Sequence, residues 1–239
     1  MNRPVKKEEL PVFSGELALI IAIIINSSGV VLMLYSGAGI SAISSVPFAF
    51  SEILPRLSLG TWTYLFQGFL VLLLMFFRKR FVPEYLCSFL VGFLFGKLVD
   101  SNRLWINLLP QTFSWCVLYF AVSYLLISLG IALSNRCGLP IIPTDLFPRE
   151  VADIFKINYP KVKVPFDVIC LTITACMTKF FLGSLEGLGI GTILAALTIG
   201  KMVGIIGDWM DRQVCFQRTF LLKKEKKILH PNTLYTKRS

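Results

Sequence analysis

Residues 29–54 read GVVLMLYSGAGISAISSVPFAFSEIL, and residues 130–155 read GIALSNRCGLPIIPTDLFPREVADIF. A shift of 101 positions aligns the two segments with six identities in 26 positions: Gly29 with Gly130, Leu32 with Leu133, Gly37 with Gly138, Ile40 with Ile141, Pro47 with Pro148 and Ile53 with Ile154. Apolar segments share Leu and Ile easily, whereas matched glycines and prolines are harder to obtain by chance. The two segments therefore indicate an internal duplication.

A second matched pair lies further along each half. A shift of 104 positions aligns residues 86–99 with 190–203 and gives four identities in 14 positions: Leu90 with Leu194, Gly96 with Gly200, Lys97 with Lys201 and Val99 with Val203. If each copy crosses the membrane an odd number of times, the two copies enter it from opposite sides. Such inverted repeats are typical of transporters, whose shared interface forms a site near the bilayer midplane, and they also occur in channels.

The composition places the chain in a membrane. Of its 239 residues, 55% are hydrophobic and only 16% are charged, and its long uncharged runs are near the length that crosses about 30 Å of hydrocarbon. Six stretches qualify: 17–35, 61–77, 84–99 (the shortest), 113–133, 164–182 and 188–206. We predict an all-α polytopic membrane protein with six transmembrane helices. They form two inverted three-helix repeats, each with a short broken or re-entrant helix.

The basic residues predict the orientation of the chain. Of the 24 Lys and Arg residues, 19 fall at the N-terminus, at 78–80, in the 134–163 loop and in the C-terminal tail. This distribution follows the positive-inside rule, so both termini are expected in the cytoplasm. We divide the chain into a cytoplasmic N-terminus (1–16), two membrane repeats (17–102 and 103–211) and a basic tail (212–239) that lies along the anionic leaflet. The net charge of +10 thus indicates a lipid partner and no nucleic acid.

In each copy of the repeat, the sequence predicts a short helix after the first long helix. Ser44 or Ser45 is expected to cap a helix that reaches about residue 54, with Pro47 in its first turn. This nearly uncharged segment suits a re-entrant hairpin or, as an alternative, a surface loop with an interfacial helix.

The corresponding helix of the second copy is expected to run to about residue 155, with Thr144 or Asp145 as its cap and Pro148 in its first turn. Its many charges favour an exposed cytoplasmic face. If the two helices point inward, their N-terminal amide groups favour an anion. Ser44, Ser45, Thr144 and Asp145 are then candidate substrate-binding residues; simple capping is the alternative.

Lys97 and Lys201 are the sharpest candidates for a binding role. They occupy equivalent positions in the third and sixth predicted spans, each directly after a glycine. A lysine in a membrane helix costs a few kcal/mol unless it is paired or reaches water, so it is a candidate functional residue. Asp100 is the expected helical partner of Lys97. The alternative is that both lysines reach the nearer interface with their long side chains.

Other polar residues suggest structural roles. Asn26, Gln67 and Asp167 are expected to join helices through hydrogen bonds. The glycine-rich segment 187–192 lacks the strand and the GKS/T ending of a nucleotide loop, so helix packing or a hinge explains it better. Six cysteines without CxxC spacing and one histidine, His230, provide no metal site. We expect no enzyme activity, no metal and no cofactor.

The second repeat carries a family resemblance. Gly130, Gly138, Pro143-Thr144-Asp145, the 187–192 segment, Gly200 and Gly207-Asp208 resemble the YitT/YczE-like family of bacterial membrane proteins over most of residues 117–211. The resemblance implies a small multi-pass protein of the bacterial cytoplasmic (inner) membrane.

Taken together, these features predict a transporter-like or channel-like protein that moves a small solute or ion, with an anion as one candidate. The alternative is a non-transporting membrane scaffold or accessory subunit whose basic face holds a partner. A homodimer is also expected, because six helices make a thin wall around any pathway.

Overall fold

The computed structural model describes residues 11–217, which form eight helices and two short strands. The strands are β1 (Val12–Ser14) and β2 (Cys215–Gln217). The helices are α1 (Gly15–Tyr35), α2 (Ala42–Ile53), α3 (Leu59–Arg78), α4 (Pro83–Ile106), α5 (Phe113–Arg136), α6 (Pro143–Phe155), α7 (Tyr159–Leu182) and α8 (Ile190–Gln213). Residues 218–239, which include His230 and most of the predicted basic tail, lie outside the described part.

Five of these helices are long and apolar enough to cross a bilayer: α1, α3, α5, α7 over residues Lys161–Leu182, and α8. The chain is therefore a polytopic helical membrane protein. Helix α4 has 24 residues and is as long as the others, but it carries Glu84, Lys97, Asp100 and Arg103. The sequence had placed a span of 16 residues here, from 84 to 99, and the helix extends seven residues further.

The two short helices exist, but they begin earlier than predicted. Helix α2 starts at Ala42, with Ser41 at its N-cap position, and α6 starts at Pro143, with Ile142 at the N-cap. Pro47 and Pro148 consequently occupy the sixth position of their helices, where the missing N–H leaves the carbonyl four residues earlier without its helical donor. The expectation that both prolines lie in the first turn was wrong.

The four predicted capping residues also lie inside their helices. Ser45 lies inside α2, where its hydroxyl donates to the Ala42 carbonyl at 2.6 Å and lies 2.8 Å from Thr174 Oγ1 of α7. Ser44, Thr144 and Asp145 lie within the first helical turns. None of these four residues occupies an N-cap position, so none of them caps its helix. The N-cap residue Ser41 does not cap α2 either, because its hydroxyl donates to Ser44 Oγ at 2.9 Å and accepts no backbone amide.

A small β ribbon, formed by β1 and β2, joins the two ends of the described chain. The strands pair in parallel, with Phe13 opposite Phe216. An apolar cluster that includes Leu74, Phe147 and Met210 lies near this ribbon, and a second cluster lies toward the opposite end of the bundle. The ribbon was not predicted, since three-residue strands leave no periodic signal.

The helices pack in a pattern that repeats between the two halves. Helices α1 and α5 form the central pair, α1 packs on α4, and α5 packs on α8. Helix α2 lies between α7 and α3, just as α6 lies between α3 and α7. The exception is that α3 and α4 pack closely along their length, whereas α7 and α8 contact each other only sparsely.

Candidate functional site

A cavity of about 430 Å³ lies inside the bundle, and every one of the eight helices contributes to its wall. The apolar part of the wall includes Val30, Phe95, Ile127 and Ile131. The polar and charged side chains in the wall are those of Asn26, Ser41, Ser44, Thr63, Asn135, Thr144, Asp145, Lys163, Asp167 and Lys201. Pockets that bind small molecules usually combine such apolar walls with a few convergent polar groups.

The cavity brings together four of the six predicted site residues, namely Ser44, Thr144, Asp145 and Lys201. Ser45 is not in its wall, because it faces α7. Lys97 is also outside the wall; it is exposed, and its Nζ lies 5.6 Å from the centre of the Phe93 ring.

The expected partner of Lys97 has a different role. Asp100 accepts hydrogen bonds from Ser58 Oγ at 2.6 Å and from the Gly60 amide at 2.7 Å. It therefore holds the first turn of α3 against α4. The prediction that Asp100 pairs with Lys97 was wrong, because the start of α3 offers it two donors.

Helix α2 presents an uncapped N-terminus to the cavity. Ala42, Ile43 and Ser44 all lie in the wall, and the first helical hydrogen bond runs from the Ser45 amide to the Ser41 carbonyl. The amides of the first turn thus have no helical acceptor, and the turn contains no acidic residue. The N-terminus of α2 is suited to an anion.

Helix α6 presents a different surface to the same cavity. Its first turn carries Asp145, whose negative charge compensates the helix dipole. Within residues 11–217, Asp145 has no cationic side chain within ion-pairing distance, while the nearby Lys163 binds both carboxylate oxygens of Asp167, at 2.5 and 2.6 Å. Asp145 thus supplies a carboxylate without an ion-pair partner.

Burial sets the protonation behaviour of Asp145, which lies in α6 and outside the five apolar spans. The surrounding protein raises the pKa of this carboxyl to about 6, because the charged form loses solvation. Lys163 opposes the rise in pKa, Asp167 adds to it and Arg149 opposes it. The carboxyl of Asp145 therefore holds its proton more tightly than a solvent-exposed aspartate does.

The cavity-lining residue Asn26 differs from its predicted structural role. It was expected to join helices by hydrogen bonds, yet its Oδ1 atom has no partner in the described part of the chain and the residue is only 4% exposed. The carboxamide packs against Gly130 of α5. A signal was available, because the 101-residue shift places Asn26 on the apolar Ile127, and an unmatched amide in a span often marks a site.

Gln67 differs from Asn26, although it too has no hydrogen-bond partner for its side chain among the described residues. It packs against Gly92 of α4, close to Pro143 at the start of α6, and lies outside the cavity wall. Lys163, Asn135 and Ser41 are lining residues that the sequence did not single out. No three His, Cys, Asp or Glu side chains cluster as metal ligands in residues 11–217.

The glycine-rich segment 187–192 holds the turn that precedes α2. The Gly187 carbonyl accepts from the Ile40 amide at 3.0 Å, and the Gly191 amide donates to the Ala38 carbonyl at 3.0 Å. Thr192 Oγ1 is a second acceptor for Ile40, at 3.1 Å. These bonds fix the position at which α2 begins and hence the position of its N-terminus in the cavity.

Comparison with known proteins gives a family but no function. Residues 13–208 match the model of a family of unknown function, DUF6198. No curated protein and no solved structure matches the chain. Because the family match covers most of the sequence, the chain belongs to the DUF6198 family.

Proposed function

We propose that this protein is a small-solute carrier that exposes its central cavity alternately to the two sides of the membrane. In this proposal α4 is the sixth span, and α1–α4 and α5–α8 form two inverted repeats of three spans and one short helix. The protein is then a transporter of the YitT/YczE-like type in a bacterial inner membrane, with no enzyme activity. The expected homodimer stays a prediction.

The cavity wall supports the repeat. Six pairs of lining residues are related when the shift of 101 is applied to residues 26–54 and the shift of 104 to residues 86–99: Asn26 with Ile127, Val30 with Ile131, Ser41 with Ile142, Ile43 with Thr144, Ser44 with Asp145, and Phe95 with Ile199. Matched residues meet around one space when that space lies on the axis that relates the repeats. Transporters built from inverted repeats bind their substrates at this location.

One contrast between the halves carries the proposal. A methyl group on Gly96 of α4 would lie 2.6 Å from the Gly60 carbonyl oxygen of α3, so these helices are in backbone contact. The repeat equivalent of Gly96 is Gly200 of α8, where a methyl group would meet no atom within 4 Å. Hence one helix pair is closed and its counterpart is open.

The second state of the carrier arises when the two helix pairs exchange conformations, so that α7 and α8 become closed and α3 and α4 become open. The shift of 104 that relates Gly96 to Gly200 takes Gly60 to Val164, and Val164 and Gly200 both line the cavity. In the second state α8 closes on α7 through these residues, and α4 moves away from α3. Lys97 then takes the position relative to the cavity that Lys201 has in this structure. This mechanism is a rigid-body rearrangement of one repeat against the other.

The orientation of the carrier follows from charge. The end of the bundle with the β ribbon carries Arg78, which pairs with Glu150 at 2.9 Å, and Arg136, which pairs with Asp211 at 2.7 Å. The basic residues of this end favour the cytoplasmic side. The rival proposal, a scaffold that holds a partner on the same basic face, requires no cavity and no second state.

Disulfide trapping tests the second state without knowledge of the solute. Val164→Cys and Gly200→Cys are combined in a chain whose six native cysteines are replaced by alanine. We expect oxidation of membranes to form an intramolecular disulfide, because closure of α8 on α7 would bring the two Cβ atoms to within about 4 Å.

A matched control pair retains Gly200→Cys and replaces Val164→Cys with Ile169→Cys. Ile169 is an exposed α7 residue outside the cavity wall, so this pair should remain reduced. If the 164–200 pair also stays reduced in protein that remains folded and monodisperse, α7 and α8 do not approach each other, and a scaffold with a fixed pocket replaces the carrier.

A further inference from the structure

Two buried polar side chains of the closed helix pair have no hydrogen-bond partner among residues 11–217. They are Gln67 of α3, through both Oε1 and Nε2, and Ser88 of α4, through Oγ, and these residues are 0% and 1% exposed. A buried polar atom without a hydrogen bond destabilises the conformation that buries it. The contact between α3 and α4 is therefore destabilised by groups that another conformation can satisfy.

Both side chains lie in one region of the fold. The carboxamide of Gln67 packs over Gly92 of α4, and Ser88 lies one turn before Gly92 on the same face of that helix. A methyl group on Gly92 would also lie 3.1 Å from the Cδ atom of Pro143, the first residue of α6. The segment that leads into α6 thus runs beside these two polar groups.

The internal repeat identifies the partner that Ser88 lacks. The shift of 104 relates Ser88 to Thr192, another hydroxyl residue, and the shift of 101 relates Ile40 to Ile141. Thr192 Oγ1 of α8 accepts a hydrogen bond from the Ile40 amide at 3.1 Å. The equivalent bond from the Ile141 amide to Ser88 Oγ is not formed, although both residues are buried. The open helix pair thus holds the turn before a short helix, and the closed pair does not.

The repeat also accounts for Gln67. The shift of 104 relates Gly92, which covers the Gln67 carboxamide, to Ala196 of α8. Ala196 lines the cavity in this structure, where α7 and α8 are open. When α4 moves away from α3, the surface around Gly92 therefore faces the cavity, and the carboxamide of Gln67 is uncovered toward it.

We propose that Ser88 and Gln67 are positioning residues of the second state. In that state Ser88 Oγ accepts a hydrogen bond from the Ile141 amide, and the Gln67 carboxamide faces the cavity. Ser88 and Thr192 exchange roles, because each holds the turn before a short helix only while its own helix pair is open. This inference rests on the proposed carrier function, since it names the hydrogen bonds that distinguish the two states.

The initial rate of disulfide formation by the 164–200 cysteine pair in membranes tests the inference, because this rate follows the population of the second state. Ser88→Ala should lower the rate about fivefold, the equivalent of one net hydrogen bond that only the second state contains. Thr192→Val retains the size of the side chain and removes the acceptor of the Ile40 amide. It should raise the rate by a similar factor, because it weakens the state described here. A general structural defect would not produce effects of opposite sign.

Gln67→Leu introduces the residue type of its repeat counterpart, Leu171, and should also lower the rate. The matched control is Ser128→Ala. Ser128 is a fully buried residue of α5 whose hydroxyl donates to the Tyr124 carbonyl of its own helix at 2.8 Å, so this variant should form the disulfide as fast as the parent.

Thermal unfolding of the purified full-length variants gives a second readout. Ser88→Ala and Gln67→Leu should unfold at or above the temperature of the parent, because the atoms that they remove have no partner in this structure. A lower unfolding temperature for both variants would place their hydrogen bonds in the present state and overturn the inference. Disulfide rates that are equal in the parent, Ser88→Ala and Thr192→Val, or that change in the same direction, would overturn it while the parent disulfide still supports the carrier. A parent that forms no disulfide would overturn the carrier mechanism itself.

Discussion

The carboxyl of Asp145 should destabilise the folded protein in a pH-dependent manner. Its pKa rises from 3.8 to about 6 on folding, so the folded state holds the proton more tightly than the unfolded state. A carboxyl with a raised pKa imposes no penalty below the unfolded value, and its penalty grows with pH until the folded value is passed. Stability should therefore fall between pH 4 and pH 6 and then level off.

The magnitude follows from the shift in pKa. A change of about 2 units corresponds to about 3 kcal/mol at pH 7.5, and about half of that penalty is already present at pH 5. Asp145→Asn keeps the size of the side chain and removes its charge. We expect this variant to be more stable than the parent by about 3 kcal/mol at pH 7.5 and by about half as much at pH 5.

The assay is reversible unfolding of the detergent-solubilised protein at a series of pH values between 5 and 8, without added solute. Asp153→Asn is the control, because this exposed carboxyl lies on the same helix and its replacement should change stability little at any pH. The reasoning fails if Asp145→Asn destabilises the protein at pH 7.5, or if its effect is the same at pH 5 as at pH 7.5.

Three further predictions concern other parts of the chain. Asp100→Asn should destabilise the protein by about 1.5–3 kcal/mol in the same unfolding assay, because α3 loses charge-assisted hydrogen bonds to its first turn; an unchanged stability would contradict this role. Lys97→Met should change the free energy of unfolding by less than about 1 kcal/mol in that assay, because the Lys97 side chain is exposed and forms no ion pair within residues 11–217; a larger loss of stability would contradict this reading. Single cysteines at positions 56 and 161 should react with membrane-impermeant reagents from opposite faces, and labelling from one face would refute the inverted arrangement.

The architecture was largely predictable because its signals are local or periodic. Long apolar runs identified the apolar spans, and the glycines and prolines shared by residues 29–54 and 130–155 placed both short helices. The first residue of each short helix was not predictable. Ser45 and Thr144 are good capping residues in isolation, but tertiary contacts such as the bonds between Ile40 and Gly187 decide where the chain turns into α2.

The candidate site was predictable only in part, for a similar reason. Spacing identified Lys201 and Asp145, but it assigned equal roles to Lys97 and Lys201 because the sequence contains no information on which helix pair is open. The sequence favours a structural role for Asn26, because a single sequence does not show whether a buried oxygen has a hydrogen-bond donor nearby. Both errors concern contacts between distant segments, and such contacts leave no pattern along the chain.

Accessibility of one cavity position from each side of the membrane tests the central claim most directly. Ser44→Cys, in the chain without native cysteines, is exposed to a membrane-impermeant thiol reagent in right-side-out and in inside-out vesicles. The account predicts reaction from both sides, and it predicts that a disulfide between residues 164 and 200 abolishes reaction from one side only. Reaction from a single side before cross-linking, or from neither side, would contradict alternating access.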